Sequence, residues 1–273
     1  MEVSVGHTPD ADDAFMFYGM FSGKVTSPDF TVKHVIEDIE NLNRKAVSPT
    51  LDVTAVSVHA CAHIQDYTIL RSGGSFGIGY GPIVTATKKI TIEELHNAKI
   101  AIPGKMTSAF LLLQLIIGKF DYVEMNFSDI PLAVKNGDVD AGLVIHETQL
   151  SYLDEGIIKI LDTGEWWDKK TDGLPVPLGI NVMKSSFGLE NIRKFDQFLQ
   201  KSIEFGIKNN DDAIKYAMKY GRGKSQDLIE KFVKMYVNDV TVNMGENGEK
   251  AIRRFFEMAI EKNLIQKFNL KIA

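Results

Sequence analysis

Apolar and polar positions switch repeatedly between a period of two and a period of about 3.6 along this chain. Residues 2–5, Glu2-Val3-Ser4-Val5, read as a strand, and a helix over 14–20 follows, opened by Asp10-Ala11-Asp12-Asp13. Acidic residues in a first turn suit the positive end of the helix dipole. The same patterning predicts a strand over 30–36, a helix over 39–46, a strand over 53–57 and a short helix over 58–64. Strands over 67–71 and 82–87 are separated by the glycine-rich run Gly73-Gly74-Ser75-Phe76-Gly77-Ile78-Gly79-Tyr80-Gly81. Thr91 and Glu94 have capping-box spacing. A strand over 99–102, a turn at Gly104 and a helix over 107–117 form the next unit. A strand over 123–127 comes next, with Ser128 as N-cap of a helix over 130–136, and a strand over 141–145 ends at His146.

After Leu174-Pro175-Val176-Pro177 and a strand over 178–183 the character changes. From 189 to 265 only helical spacing is seen, as in Phe195, Phe198, Leu199, Ile203 and Ile207. Turn signals fall at Asn209-Asn210, Gly221-Arg222-Gly223 and Gly245-Glu246-Asn247-Gly248. Alternating strands and helices place the chain in the α/β class. Crossings near 82–88 and 178–183 predict an inserted α/β lobe over 88–182. The other lobe is then discontinuous, 1–87 with 183–273, and carries the helical tail. This is the plan of a two-lobed, periplasmic-binding-protein-like fold of type II, with a ligand cleft between the lobes.

Composition narrows the function. The 273 residues carry a net charge of −5 with both signs interspersed, which offers no basic stripe for a phosphate backbone, so nucleic acid is not an expected partner. A single cysteine, Cys61, permits no intrachain disulfide and no CxxC motif, as expected in a reducing compartment. The N-terminus reads as a strand rather than a basic and apolar leader. No apolar run reaches the roughly 18–20 residues that span a bilayer; the longest, over 110–117, reads as a buried helix. A cytoplasmic protein with no membrane partner is expected. Nothing in the sequence sets the oligomeric state.

His146 is the foremost candidate for chemistry. It follows an apolar strand, ligands in α/β sheets gather beyond the carboxyl ends of strands, and imidazole titrates near neutrality. A histidine that merely bonds a carbonyl at a strand end is the plainer alternative. Thr107 and Ser108 open a helix, where free N–H groups and hydroxyls suit a carboxylate or phosphate, or simply cap the helix. Ser57 ends a strand before another short helix and offers a second site of that type. The loop His7-Thr8-Pro9-Asp10-Ala11-Asp12-Asp13 is more polar than capping requires. Asp12 and Asp13 could recognise substrate hydroxyls, hold a metal, or sit as solvated first-turn acids.

Several signals lead elsewhere. The glycines from Gly73 to Gly81 do not spell a dinucleotide fingerprint; a close backbone approach at Gly73 and Gly74, to ligand or within a crossing segment, explains them better. His59 and His63 have metal-compatible spacing, but a zincin needs Glu where this chain has Ala60. No GxSxG elbow is present. Trp166-Trp167 either walls an aromatic pocket or packs between lobes, the latter being the default. Neither a metal nor a cofactor is expected.

The segments 8–18 (TPDADDAFMFY), 37–43 (EDIENLN), Arg71-Ser72-Gly73-Gly74 with Gly79-Tyr80-Gly81-Pro82, Pro103-Gly104 with Thr107, and 142–147 (GLVIHE) occur in that order. With 174–179 (LPVPLG) and Tyr236-Val237-Asn238 they resemble the 1,4-dihydroxy-6-naphthoate synthase family of the futalosine route to menaquinone. The resemblance covers nearly the whole chain. It implies a two-lobed, cofactor-free lyase that converts cyclic de-hypoxanthine futalosine to 1,4-dihydroxy-6-naphthoate and releases a three-carbon fragment. It implies a general-base role for His146, and ligand contacts, to the carboxylate of the substrate, at Ser57 and Thr107. The family commonly has Asn-Asp-Thr where this chain has Asp12-Asp13-Ala14, and proline at Ala11, departures that bear on substrate choice. A non-catalytic protein binding a small carboxylate, or a related enzyme such as a chorismate dehydratase, would share the fold.

Overall fold

The computed structural model describes residues 1–220 and 225–273. The turn expected at Gly221-Arg222-Gly223 lies outside them.

Two sheets organise the molecule. The first is built from β1 (Glu2–His7), β2 (Thr31–Ile36), β3 (Val53–Ser57), β4 (Tyr67–Ile69) and β5 (Ser75–Gly77), joined by a strand that arrives late in the chain. The second holds β6 (Ile83–Ala86), β7 (Lys99–Ile102), β8 (Asp121–Glu124), β9 (Ala141–Val144) and β10 (Ile158–Asp162). The late strand, β11 (Val176–Lys184), returns to the first sheet. The orders are β2-β1-β3-β11-β4, with β5 also on β11, and β10-β6-β9-β7-β8. Pairings β1–β2, β1–β3, β7–β8 and β7–β9 are parallel, while β11 and β6 run antiparallel to their neighbours. Strands that carry the chain between lobes arrive from the opposite end, which sets this polarity.

The expected lobe boundaries at 87/88 and 182/183 are corrected by the pairing. β6 hydrogen-bonds within the second sheet and β11 within the first. The crossings are therefore the segments 78–82 and 172–175, ahead of the strands over 82–88 and 178–183 where they were expected. Pro177 sits where the β11–β5 register shifts, a place where a strand tolerates a residue without an N–H. The first crossing is fastened to the end of β10 and the helix start that follows it: Thr163 donates its N–H and hydroxyl to the Pro82 carbonyl at 2.9 and 2.8 Å, and Gly81 N–H donates to Asp162.

Each lobe has its own core, around Ile100, Leu113 and Leu143 in the second and Val5, Phe195 and Leu199 in the first. A third core joins them. There Leu111, Leu112 and Leu115 from the helix Ser108–Ile117 meet Trp167 and Phe255. Trp167 is fully buried, its indole N–H donates to the carbonyls of Leu174 and Pro175, and its ring meets Phe255 edge-on. The tryptophan packs between lobes and lines no ligand cleft.

The C-terminal part is helical, with Gly188–Lys208, Asn210–Ala217, Gln226–Tyr236, Asp239–Val242 and Gly245–Glu261. Among the described residues no helix is long and apolar enough to cross a membrane. Three sequence expectations shift. β8 begins two residues before the expected 123, Asp129 rather than Ser128 takes the N-cap position of Ile130–Asn136, and β5 lies inside the glycine-rich run. β10 and the helix Thr163–Thr171 were not foreseen.

Candidate active site

The lobes flank a cleft lined by the carboxyl ends of strands and the starts of the helices that follow them. β9 ends at Val144, and His146 comes two residues on with φ of 58°. That left-handed conformation is uncommon outside glycine and asparagine, and costs on the order of 1 kcal/mol or more. Its imidazole Nδ1 lies 3.1 Å from Asp10 Oδ2, and the ring edge packs on Phe127 at 4.5 Å between centroids. Nε2 is buried and has no hydrogen-bond partner.

Asp10 explains this orientation. It occupies the N-cap position of the first helix, Ala11–Phe21, yet its side chain makes no capping bond. Its carboxylate reaches instead across the cleft to His146. A carboxylate facing Nδ1 favours the tautomer with the proton on Nδ1, which leaves Nε2 as a lone-pair acceptor. The helix N-terminus is served from the other lobe: Ala11 N–H donates to Glu147 Oε1 at 3.2 Å. The Gln149 amide, with its oxygen toward the His146 N–H (3.1 Å) and its nitrogen toward Gly81 O (2.7 Å), holds the backbone around His146.

Four carboxyl groups, those of Asp10, Asp12, Asp13 and Glu147, are thus buried together. Burial, reinforced by Asp13, Asp10 and Glu147, drives Asp12 well above the usual carboxylate range, opposed by the Ser75 hydroxyl that donates to it at 3.0 Å. Burial likewise lifts Asp13 to about 7, even though Thr8 donates to it from both N–H (2.9 Å) and hydroxyl (2.8 Å). Glu147 is raised by burial and then by Asp10, with His146 acting in the opposite sense. Among the described residues no group of three or more histidine, cysteine or acidic side chains is placed to hold a metal ion. His59 and His63 are in edge contact, and burial lowers His59 to about 4.

The hydroxyl candidates line the same cleft, with Ser57 paired to Gly179 of β11. Ser57 is buried, accepts from the Asn43 amide at 3.1 Å and gives its N–H to the same side chain at 2.8 Å. Thr107 is the N-cap of Ser108–Ile117; its hydroxyl accepts from Phe110 N–H and donates to Gly104 O at 2.7 Å. Ser108 donates to Leu178 O at 2.6 Å and accepts from His59 N–H. Both hydroxyls therefore spend their protons within the protein and have none to give an anion. What this corner offers an anion is the first-turn backbone N–H groups of a ten-residue helix, with Ser57 opposite.

Gly73 lines the cleft at φ of 78°, and a Cβ there would come within 2.6 Å of Asn181 Nδ2. Gly74 does not line it: a Cβ at Gly74 would strike Phe76 at 2.5 Å, so this glycine makes room for a core ring. Asp10, Ser75, Gln149, Asn181 and Tyr236 line the cleft too and were not singled out as site residues from sequence. Asn181 carried the clearest signal, a polar residue inside an otherwise apolar strand.

The family model described as menaquinone biosynthesis matches residues 3–261. A 1,4-dihydroxy-6-naphthoate synthase of Thermus thermophilus is 36% identical over 261 residues, covering 95% of this chain and 94% of the relative. The crystal structure of protein AF1704 from Archaeoglobus fulgidus superposes with a TM-score of 0.92 at 47% identity, over 97% of this chain and 98% of that one. The alkanesulfonate-binding protein SsuA of Xanthomonas axonopodis matches with a TM-score of 0.71 at 14% identity, over 97% and 94% of the two chains, which shows the periplasmic-binding-protein fold and nothing of ligand. By the span of the family match and the identity to its named members, the chain belongs to the menaquinone biosynthesis family.

Proposed function

We propose that the protein is a cytoplasmic 1,4-dihydroxy-6-naphthoate synthase, a lyase that converts cyclic de-hypoxanthine futalosine to 1,4-dihydroxy-6-naphthoate. The observation that carries this reading is the Asp10–His146 pair, which leaves the His146 Nε2 lone pair buried and unpartnered in the cleft. A solute-binding protein has no use for a base oriented in this way. A proton beside a carbonyl is within reach of an imidazole without further help, and such a base contributes on the order of 10²–10⁴ in rate. The first-turn amides of Ser108 and Ala109, with the Ser57 hydroxyl, suit the substrate carboxylate. A closed cleft keeps water from the carbanion that proton removal creates.

Incubation of the purified protein with cyclic de-hypoxanthine futalosine, followed by mass spectrometry, tests the reading. Wild-type protein yields 1,4-dihydroxy-6-naphthoate and His146→Asn yields none while still binding the substrate. Binding without product from the wild type would instead support a binding role.

A further inference from the structure

One wall of the cleft has hydrogen-bonding capacity that the protein does not use. Asn181, on β11, is 1% exposed; its Nδ2 donates to Gly73 O at 2.8 Å, but its Oδ1 has no partner. A buried acceptor left unpaired costs about 1–3 kcal/mol, so an occupant that supplies a donor is the natural account. Beside it on the same wall, Ser75 lies across β11 from Gly179, two residues before Asn181, and gives its proton to Asp12. Its oxygen retains acceptor capacity. Burial and the three neighbouring carboxyl groups raise the proton affinity of Asp12, and a carboxyl group that holds its proton has an O–H to donate.

The wall thus presents an acceptor at Asn181, an acceptor at Ser75 and a donor at Asp12. An anion would meet four carboxyl groups here, and an ammonium could only donate. A hydroxyl group both donates and accepts, and two adjacent hydroxyls match the set.

We propose that Asp12, Ser75 and Asn181 form a subsite for aliphatic hydroxyl groups, and that these residues select the hydroxyl-bearing portion of the substrate that is lost on reaction. This rests on the function proposed above. It places the carboxylate of the ligand at the start of the helix Ser108–Ile117, the hydroxyls on the first-lobe wall, and both in the cleft that His146 lines from the second lobe.

The test uses full-length protein in a His146→Asn background, to which Ser75→Ala, Asp12→Ala or Asn181→Ala is added. Isothermal titration measures binding of cyclic de-hypoxanthine futalosine, which carries the hydroxyls, and of 1,4-dihydroxy-6-naphthoate, which lacks that portion. At least two of the three variants weaken the first ligand about fivefold or more, and leave the affinity for the second where it was. Retained naphthoate binding also shows that the variant is folded. Undiminished affinity for the first ligand, or equal losses for both, overturns the subsite. A folded His146→Asn parent that binds neither ligand overturns the functional reading, and the subsite with it.

Discussion

At position 10 an aspartate stands where helix-capping chemistry would place one, yet its carboxylate is spent on an imidazole in the other lobe. Replacing it with asparagine keeps the shape but lets an amide N–H face Nδ1, which stabilises the tautomer whose Nε2 carries the proton and cannot act as a base. Asp10→Asn therefore lowers kcat about 100-fold or more and changes KM little. Steady-state kinetics measures the split; a rise in KM with kcat intact would assign Asp10 to substrate binding instead. Legibility at this scale follows sequence distance. His146 could be read because a local pattern, apolar strand then histidine, announces it. Asp10 could not, because its partner is 136 positions away and nothing local separates a capping aspartate from a reaching one. Thr107 and Ser108 open a helix, as their local pattern suggests, but their hydroxyl protons go to Gly104 and Leu178.

The first helix is the element where burial and charge meet. Its opening turn holds Asp12 and Asp13, with Asp10 before it and Glu147 and His146 facing it from the second lobe. Asp13 binds its proton with a value of about 7 in the folded protein against 3.8 as the ordinary value. Between those values the native state holds more protons than the unfolded chain, so this stabilisation is complete below the unfolded value and is lost as pH rises through 7. His7 and His59 act oppositely: burial lowers them to about 3 and about 4, so acidification below their ordinary 6.5 favours the unfolded chain. Both histidines still bind part of a proton in the unfolded chain near pH 6.5, so a variant rather than the pH window isolates the carboxyl contribution. Between pH 6.5 and about 8, Asp13→Asn makes the slope of melting temperature against pH more positive than in the wild type. Scanning calorimetry over this range checks it, and an unchanged slope in the variant would assign the dependence to other groups. Most elements could be read from periodicity, since strands such as β3 and helices such as Gly188–Lys208 carry their own burial pattern. β5 could not, because its three residues are hidden among glycines and stabilised only by pairing with β11. β10 could not either: it is a half-exposed edge strand with an irregular register on β6, so its alternation is weak.

For the molecule as a whole, two lobes with an inserted middle were legible, because strand-rich and helix-rich stretches differ in composition. The crossings were misplaced, because backbone pairing decides which sheet owns a strand, and β6 and β11 are apolar enough for either. The same topology sets how the cleft opens. Separating the lobes must part Glu147 from the Ala11 N–H and His146 from Asp10, admitting water to carboxyl groups whose proton affinity burial raises. Ligand-driven closure then draws protons out of solution along with the ligand. At neutral pH the heat of binding should change with the ionisation enthalpy of the buffer, differing between phosphate and Tris, and Glu147→Gln should shrink that difference. A binding heat identical in both buffers would mean that the carboxyl groups keep their protons in the open form. Because the seal between the lobes buries Glu147 beside Asp10, it also makes the enzyme's affinity for its ligand a function of the acidity around it.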